Sequence, residues 1–249
     1  MKEIHFYENY IEDGYKQLIT LSCPPKMAKE ELRKWWLEEH AQRVKKLPGL
    51  KLYTVVFTEE KTFGPPKPFD GFEEMWFETL DDLKKAYESD LWQQEIEHME
   101  DKYLYRPLYF QGGWLEGFNV KMTGQKTEVP TKKGLIRLLG SVKRLPGMTK
   151  KEIKDWYYMH AMRALDENGA MTTIPGIIGY THSFAIRSPY GPNFGDACCG
   201  NWWYNLEEIE RDFSAPKMSS QSEHSKELWD FNDLNQTQIT WGEQFVIDL

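Results

Sequence analysis

The chain repeats itself, and that constrains its fold more than any other feature. Pro48-Gly49 followed by Tyr53-Thr54 returns as Pro175-Gly176 followed by Tyr180-Thr181 at the same internal spacing. His40-Ala41 with Arg43 returns as His160-Ala161 with Arg163. Trp76 with Leu80-Asp81-Asp82-Leu83 answers to Trp202 with Leu206-Glu207-Glu208-Ile209, and Trp114, Glu116 and Phe118 answer to Trp241, Glu243 and Phe245. Leu18-Ile19 is matched to Leu135-Ile136, Met27 to Met148, and His98 to His224. Matches that keep their order along almost the whole chain indicate duplication. The expected division is a first repeat over 1–120, a linker over 121–132 where periodicity is lost, and a second repeat over 133–249.

Within the first repeat the residue pattern changes period in a definite order. Gln17 to Leu21 reads as a buried strand after an aromatic, acidic lead-in. From Ala28 to Leu47 the period is helical, with Leu32, Trp36, His40, Arg43 or Val44, and Leu47 on one face, and Pro48-Gly49 stops the helix. Leu50 to Thr58 is rich in β-branched and aromatic residues and predicts a strand. Phe72 to Glu78 alternates large and charged residues, as a strand with unlike faces would. Thr79 with Asp82 three residues on predicts an N-cap, a further helix is expected from Asp90 to Tyr103, and a last strand near Gly113 to Val120. The order strand, helix, strand, strand, helix, strand is the split βαβ, ferredoxin-like unit. The expected class is therefore α+β: two tandem ferredoxin-like βαββαβ units, packed sheet to sheet as a pseudo-dimeric α/β barrel.

Composition narrows the function. The net charge of -8 comes with no basic stripe, which argues against nucleic acid as a partner. The N-terminus is too polar for a signal peptide, and no apolar run approaches a membrane span, so a cytoplasmic protein without a membrane partner is expected. Three cysteines make no disulfide framework. Neither CxxC nor HExxH occurs, nor a Gly-rich nucleotide loop, so neither a metal nor a cofactor is expected. The aromatic content of 14% suits an apolar pocket for a flat ligand, although aromatic residues also simply fill cores.

The chemistry-bearing residues cluster around the repeated helix. Steps of three and four return to one helix face, so Trp36, His40 and Arg43 are expected together, as are Trp156, His160 and Arg163. His40 and His160 can exchange protons near neutral pH; the alternative is a core histidine satisfied by the backbone or a tyrosine. Arg43 and Arg163 could clamp a carboxylate, or pair along the helix with Glu39 or Glu167. Tyr53 and Tyr180 on the second strand of each unit could act as acids or simply pack, and His182 shares the face of Tyr180 where the first repeat has Val55. Trp36, Trp156, Trp76 and Trp202 are the candidate pocket walls. His98 and His224 read as solvated helix positions among acidic residues, and Cys198-Cys199 as buried small hydrophobes.

The pattern Leu32-x3-Trp36-x3-His40-Ala41, Pro48-Gly49-x3-Tyr53, and Phe69-Asp70-Gly71-Phe72-x3-Trp76-Phe77 resembles the EthD-like branch of the dimeric α/β-barrel superfamily. The resemblance covers residues 16–120, with a weaker match over 134–247, where Asp70-Gly71 has become Asp196-Ala197. It implies a helical histidine of functional weight. Its members include small cofactor-free decarboxylases, dehydratases, cyclases and isomerases, and superfamily relatives include haem enzymes. The expected function is a cofactor-independent lyase, of decarboxylase or dehydratase type, acting on a cyclic or aromatic organic acid. An isomerase or cyclase, and a non-catalytic small-molecule-binding protein, are the alternatives. The two repeats are expected to pair within one chain, with further homodimerisation open.

Overall fold

The computed structural model describes residues 10–58, 69–97, 112–120, 134–162, 174, 176–187, 195–214 and 238–249; side chains are described for these apart from 10–13, 112–120, 158–162, 187 and 238. The chain gathers into two compact units. One contains Gly14–Glu116 and Ile239–Leu249, the other Gly117–Phe184 and Gly195–Gln238.

In the first of these, strands β1 (Tyr10–Leu21), β2 (Leu50–Thr58), β3 (Gly71–Phe77) and β8 (Gln238–Val246) lie in the order β1-β3-β2-β8. β3 is antiparallel to both β1 and β2, so β1 and β2 run parallel with β3 between them. That is the split βαβ arrangement, and the expected α+β class is the one observed. β1 begins seven residues earlier than its apolar run, because paired backbone continues through the polar lead-in. β8 joins from the far end of the chain: Val55 pairs with Phe245 and Phe57 with Glu243.

Successive strand residues face opposite sides. Ile19, Leu21, Tyr53, Val55, Phe57, Met75 and Phe77 meet Leu32, Trp35, Trp36, Ala41, Val44, Leu83, Trp92 and Ile96 of the helical layer in one apolar cluster. Lys16, Leu18, Thr20, Val56, Phe72, Glu74 and Trp76 take the other face and are buried as well. Every residue of β3 is buried, so the charged residues of this strand mark no wet face, contrary to the reading of its alternation.

The crossover from β1 to β2 is helical in three pieces: α1 (Lys29–Trp35), a π-helical turn (Trp36–His40) and α2 (Ala41–Val44). In the π turn the Ala41 N–H donates to the Trp36 carbonyl five residues back. Gly49, at φ 75°, ends the crossover in the left-handed region that a side chain would strain. α3 (Leu80–Tyr87) starts at the expected cap, with Asp82 N–H donating to Thr79 Oγ1 at 3.1 Å. A second π-helical turn, Leu91–Ile96, stands where a helix from Asp90 was expected, and that helix beyond Glu97 lies outside the described residues. β4 (Gly112–Val120) follows, close to its predicted limits.

The other unit holds β5 (Ile136–Val142), α4 (Lys150–Met162), β6 (Gly179–Arg187), β7 (Ala197–Trp203) and α5 (Leu206–Ser214). β7 lies between β5 and β6, antiparallel to both. The strand registers fix how the repeats correspond. Lys16 pairs with Trp76 and Arg137 with Trp202, so Leu18 corresponds to Leu139 and not, as its neighbours suggested, to Leu135. The helices give a second correction. Thr149 caps α4, with Glu152 N–H donating to Thr149 Oγ1 at 3.1 Å. Counted from the residue before each helix, Leu32 matches Ile153, Trp35 matches Trp156, and Trp36 matches Tyr157, with the same sequence of buried and exposed positions. Trp36 and Trp156 are thus not equivalents. Five residues separate Trp35 from His40 and four separate Trp156 from His160. The first repeat carries one extra helical residue and absorbs it in the π turn; α4 runs as an α-helix without one.

Candidate functional site

The widened π turn sets Trp36 and His40 side by side over the helix-facing side of the sheet. Their rings lie 4.1 Å apart, and Trp35 flanks the imidazole at 5.3 Å. Tyr53 of β2 and Glu73 of β3 rise from the sheet beneath them. Glu73 pairs with Val55 and Tyr53 with Met75, which puts the phenol and the carboxylate on the same face, one pair apart along the strands.

Four buried side chains form one hydrogen-bonded group. Tyr53 OH donates to Glu73 Oε2 at 2.5 Å, and Trp36 Nε1–H donates to both Glu73 Oε2 and Tyr53 Oη at 3.1 Å. His40 Nδ1 lies 3.3 Å from Tyr53 Oη and 3.8 Å from Glu73 Oε2. His40, Tyr53, Glu73 and Trp36 each have no solvent-exposed surface. The proton count follows from these bonds. A phenol has one hydrogen, and the short contact gives it to Glu73; its oxygen then accepts. With the phenol hydrogen given to Glu73, Tyr53 Oη can accept from His40 Nδ1–H, in the tautomer whose Nε2 carries no hydrogen. A proton arriving on Nε2 makes an imidazolium whose charge is offset through Tyr53 by Glu73, against the faces of two indoles.

Glu73 escaped the sequence reading because a charged residue in an alternating strand reads as exposed. The signal that could have found it is position: it shares the β3 face of Met75 and Phe77. Tyr53 and His40, both expected, are brought together. Arg43 is not: it lies half-exposed and pairs with Glu95 at 3.6 Å, because Ala41 and Val44 take the inward positions after the π turn. Its ion pair is thus with Glu95 and not with the expected Glu39. Trp76 is also separated from His40, on the opposite face of the sheet, where Lys16 Nζ stands 4.8 Å from its ring.

The second repeat builds something different at the matching positions. His182 stands where Val55 does, and Cys199 where Glu73 does. The His182 ring lies 4.7 Å from those of both Tyr180 and Tyr157. Trp156 packs edge-on to Tyr157 at 4.7 Å. Desolvation first, and the neighbouring Cys198 second, push the Cys199 thiol up to about 11, so it remains protonated at neutral pH. Trp202, like Trp76, faces away from the helix, with the Arg137 guanidinium 3.7 Å over its ring. The side chain of His160 and all of Arg163, His98, His224 and the expected linker lie outside the described residues. No group of three or more His, Cys, Asp or Glu among the described residues is placed to hold a metal ion, and no described helix is long and apolar enough to cross a membrane.

Asp70, part of the motif that carried the family resemblance, has a structural task. It accepts from Cys23 N–H at 2.8 Å and pairs with Lys29 at 3.1 Å, closing the end of β1. Asp196 does the same in the second repeat, accepting from Arg144 N–H at 3.2 Å. The change of Gly71 to Ala197 leaves that closure intact.

Comparison with known proteins agrees with this architecture. Residues 24–105 match the model of the EthD domain. No curated protein matches the chain in sequence. Among solved structures, an anthrone oxidase-like protein superposes with a TM-score of 0.64 at 12% identity, over 96% of this chain and 95% of that one. A protein of Fusobacterium nucleatum assigned as a monooxygenase superposes at 0.54, with 10% identity over 95% and 94% of the two chains. A dye-decolorizing peroxidase of Bacteroides thetaiotaomicron does so at 0.52, with 10% identity over 94% and 93%. At such identities the likeness is one of fold. Residues 24–105 are thus similar to an EthD domain, and the chain shares the ferredoxin-like α/β-barrel fold of these structures.

Proposed function

We propose that the chain is a small-molecule enzyme whose acid/base group is His40, held by Tyr53 and Glu73. The observation that carries this reading is the 3.3 Å contact of His40 Nδ1 with Tyr53, itself bound to a buried carboxylate. The arrangement fixes the tautomer, aims Nε2, and stabilises the charge formed when Nε2 takes a proton. The reaction class we favour is a cofactor-independent lyase acting on a cyclic or aromatic organic acid. In a dehydration, Nε2 accepts the proton beside the breaking C–O bond and returns one to the departing hydroxyl as water leaves. In a decarboxylation, the imidazolium gives its proton to carbon as the C–C bond breaks and carbon dioxide leaves. Isomerisation uses the same group, returning the proton at another carbon with nothing lost. The names of the fold neighbours lean to oxidation, and a base that makes a substrate carbanion also serves as the first step of that chemistry.

His40 has no exposed surface, so a substrate that reaches Nε2 displaces side chains now packed over it. That same burial favours a second reading, in which the group is a structural network pinning the helix to the sheet. His40→Gln separates the two. Incubation with hydroxylated aromatic and alicyclic acids, followed by mass spectrometry, is expected to show loss of 18 or 44 mass units with the wild-type protein and its near-abolition in the variant. Undiminished turnover by a folded His40→Gln protein overturns the acid/base role.

A further inference from the structure

We infer that the single extra residue in the first repeat's helix is a positioning device: it creates the π turn that holds His40 on the Tyr53–Glu73 pair, and so builds this relay in the first repeat only. The inference rests on the acid/base reading of His40 and adds what puts that histidine in place.

The two crossover helices begin alike. From Lys29 to Trp36 and from Lys150 to Tyr157 the buried and exposed positions coincide one for one. Arg33 lies 5.6 Å over Phe57, and its counterpart Lys154 lies 5.6 Å over Phe184. The registers of Tyr53 and Tyr180 on the neighbouring strands coincide too. The frames around the two helices are thus the same up to Trp36 and Tyr157, and the histidines follow four residues later in one and three in the other. A residue added to an α-helix normally rotates everything after it by about 100°. A π turn, with its i to i+5 bond, takes up the residue locally. Its consequence here is the 4.1 Å tilted contact of Trp36 with His40, with the indole N–H and His40 Nδ1 both turned toward Tyr53 and Glu73. The second repeat has neither the added residue nor the carboxylate, since Cys199 occupies the place of Glu73. Insertion, indole and glutamate belong together, and the second repeat lacks all three.

The test is deletion of Glu38, which is exposed and lies within the π turn, so that no buried side chain is lost. The readout is the 15N–1H spectrum of the imidazoles in the full-length protein, with circular dichroism to establish folding. In the wild type one histidine is expected to show a hydrogen-bonded Nδ1–H tautomer; the deletion removes it, and Glu73→Gln, which leaves the length of the helix unchanged, shifts it. Turnover in the deletion protein is expected to fall on the order of 100-fold, mainly in kcat, as for a misplaced reacting group. A folded deletion protein that keeps the Nδ1–H resonance overturns the inference, and so does a second histidine of the same kind. If the deletion protein does not fold, Glu73→Gln decides: a Nδ1–H signal insensitive to it overturns the relay. Full turnover in His40→Gln, by contrast, sinks the acid/base reading itself, whereas loss in His40→Gln with full turnover in the deletion protein sinks only the role of the insertion.

Discussion

Glu73 and Glu74 are neighbours in sequence, point to opposite faces of β3, and are both completely buried. Each has solved the problem of a buried carboxylate differently. Glu73 is held by the neutral donors Tyr53 and Trp36, with an imidazole nearby. Glu74 is held by the ammonium of Lys16, which also lies over Trp76.

Breaking the second pair should cost stability without touching the first. Lys16→Met takes the ammonium away from the buried Glu74 carboxylate, a loss of about 3–5 kcal/mol. The melting temperature is expected to fall by roughly 10 °C, and the double variant Lys16→Met/Glu74→Met to recover most of it. Differential scanning calorimetry on the three proteins checks this.

Tyr53→Phe removes one oxygen from the middle of the relay. Trp36 still reaches Glu73, so the fold should survive at a cost of about 1–3 kcal/mol. Loss of the link between His40 and Glu73 is expected to lower kcat by about 100-fold and to alter its pH profile, measured on whichever acid the wild type turns over.

Gly200 has no room for a side chain. A Cβ there would lie 1.9 Å from Nη1 of Arg137, whose guanidinium stacks on Trp202. Gly200→Ala must displace a fully buried cation, and about 1–3 kcal/mol or more of destabilisation is expected. Urea denaturation measures it. In the first repeat the corresponding position is Glu74, which shows how the same place can hold a counter-charge or the volume of a larger cation.

The cap of α4 carries a pH dependence. Bonds from the backbone and then the side chain of Thr149 lower the Glu152 carboxyl below its ordinary range. A carboxyl lower in the folded than in the unfolded chain adds stability above its unfolded value and loses it as pH falls through the folded one. The melting temperatures of wild type and Glu152→Gln are therefore expected to differ at neutral pH and to converge in strong acid. A difference that widens on acidification contradicts the cap.

The duplication, the ferredoxin-like order and the candidacy of His40 and Tyr53 were all legible in the sequence, because they rest on periodicity and on long matched spacings; that the two side chains meet was not. Glu73 was not, since burial of a charge depends on what covers the opposite strand face, and no local pattern records that. The π turn hid in plain view: matching Trp36 to Trp156 made the two helices look identical, and only the cap at Thr149 and the burial of Tyr157 exposed the odd residue. Arg43 failed for the same reason, since a face drawn at 3.6 residues per turn does not survive a wider turn.

The pairing of β2 with β8 has a consequence for how the protein is made. Val55 and Phe245 are partners across about 190 residues, so this part of the sheet closes over a very long loop, the kind of contact that slows folding. During synthesis the edge of β2, with Val55, Val56 and Phe57 along it, emerges from the ribosome long before the strand that covers it. For that interval it is an open, apolar template for any other extended chain. Slower translation of the second repeat should therefore raise the aggregated fraction, and supplying residues 238–249 as a peptide in trans should lower it.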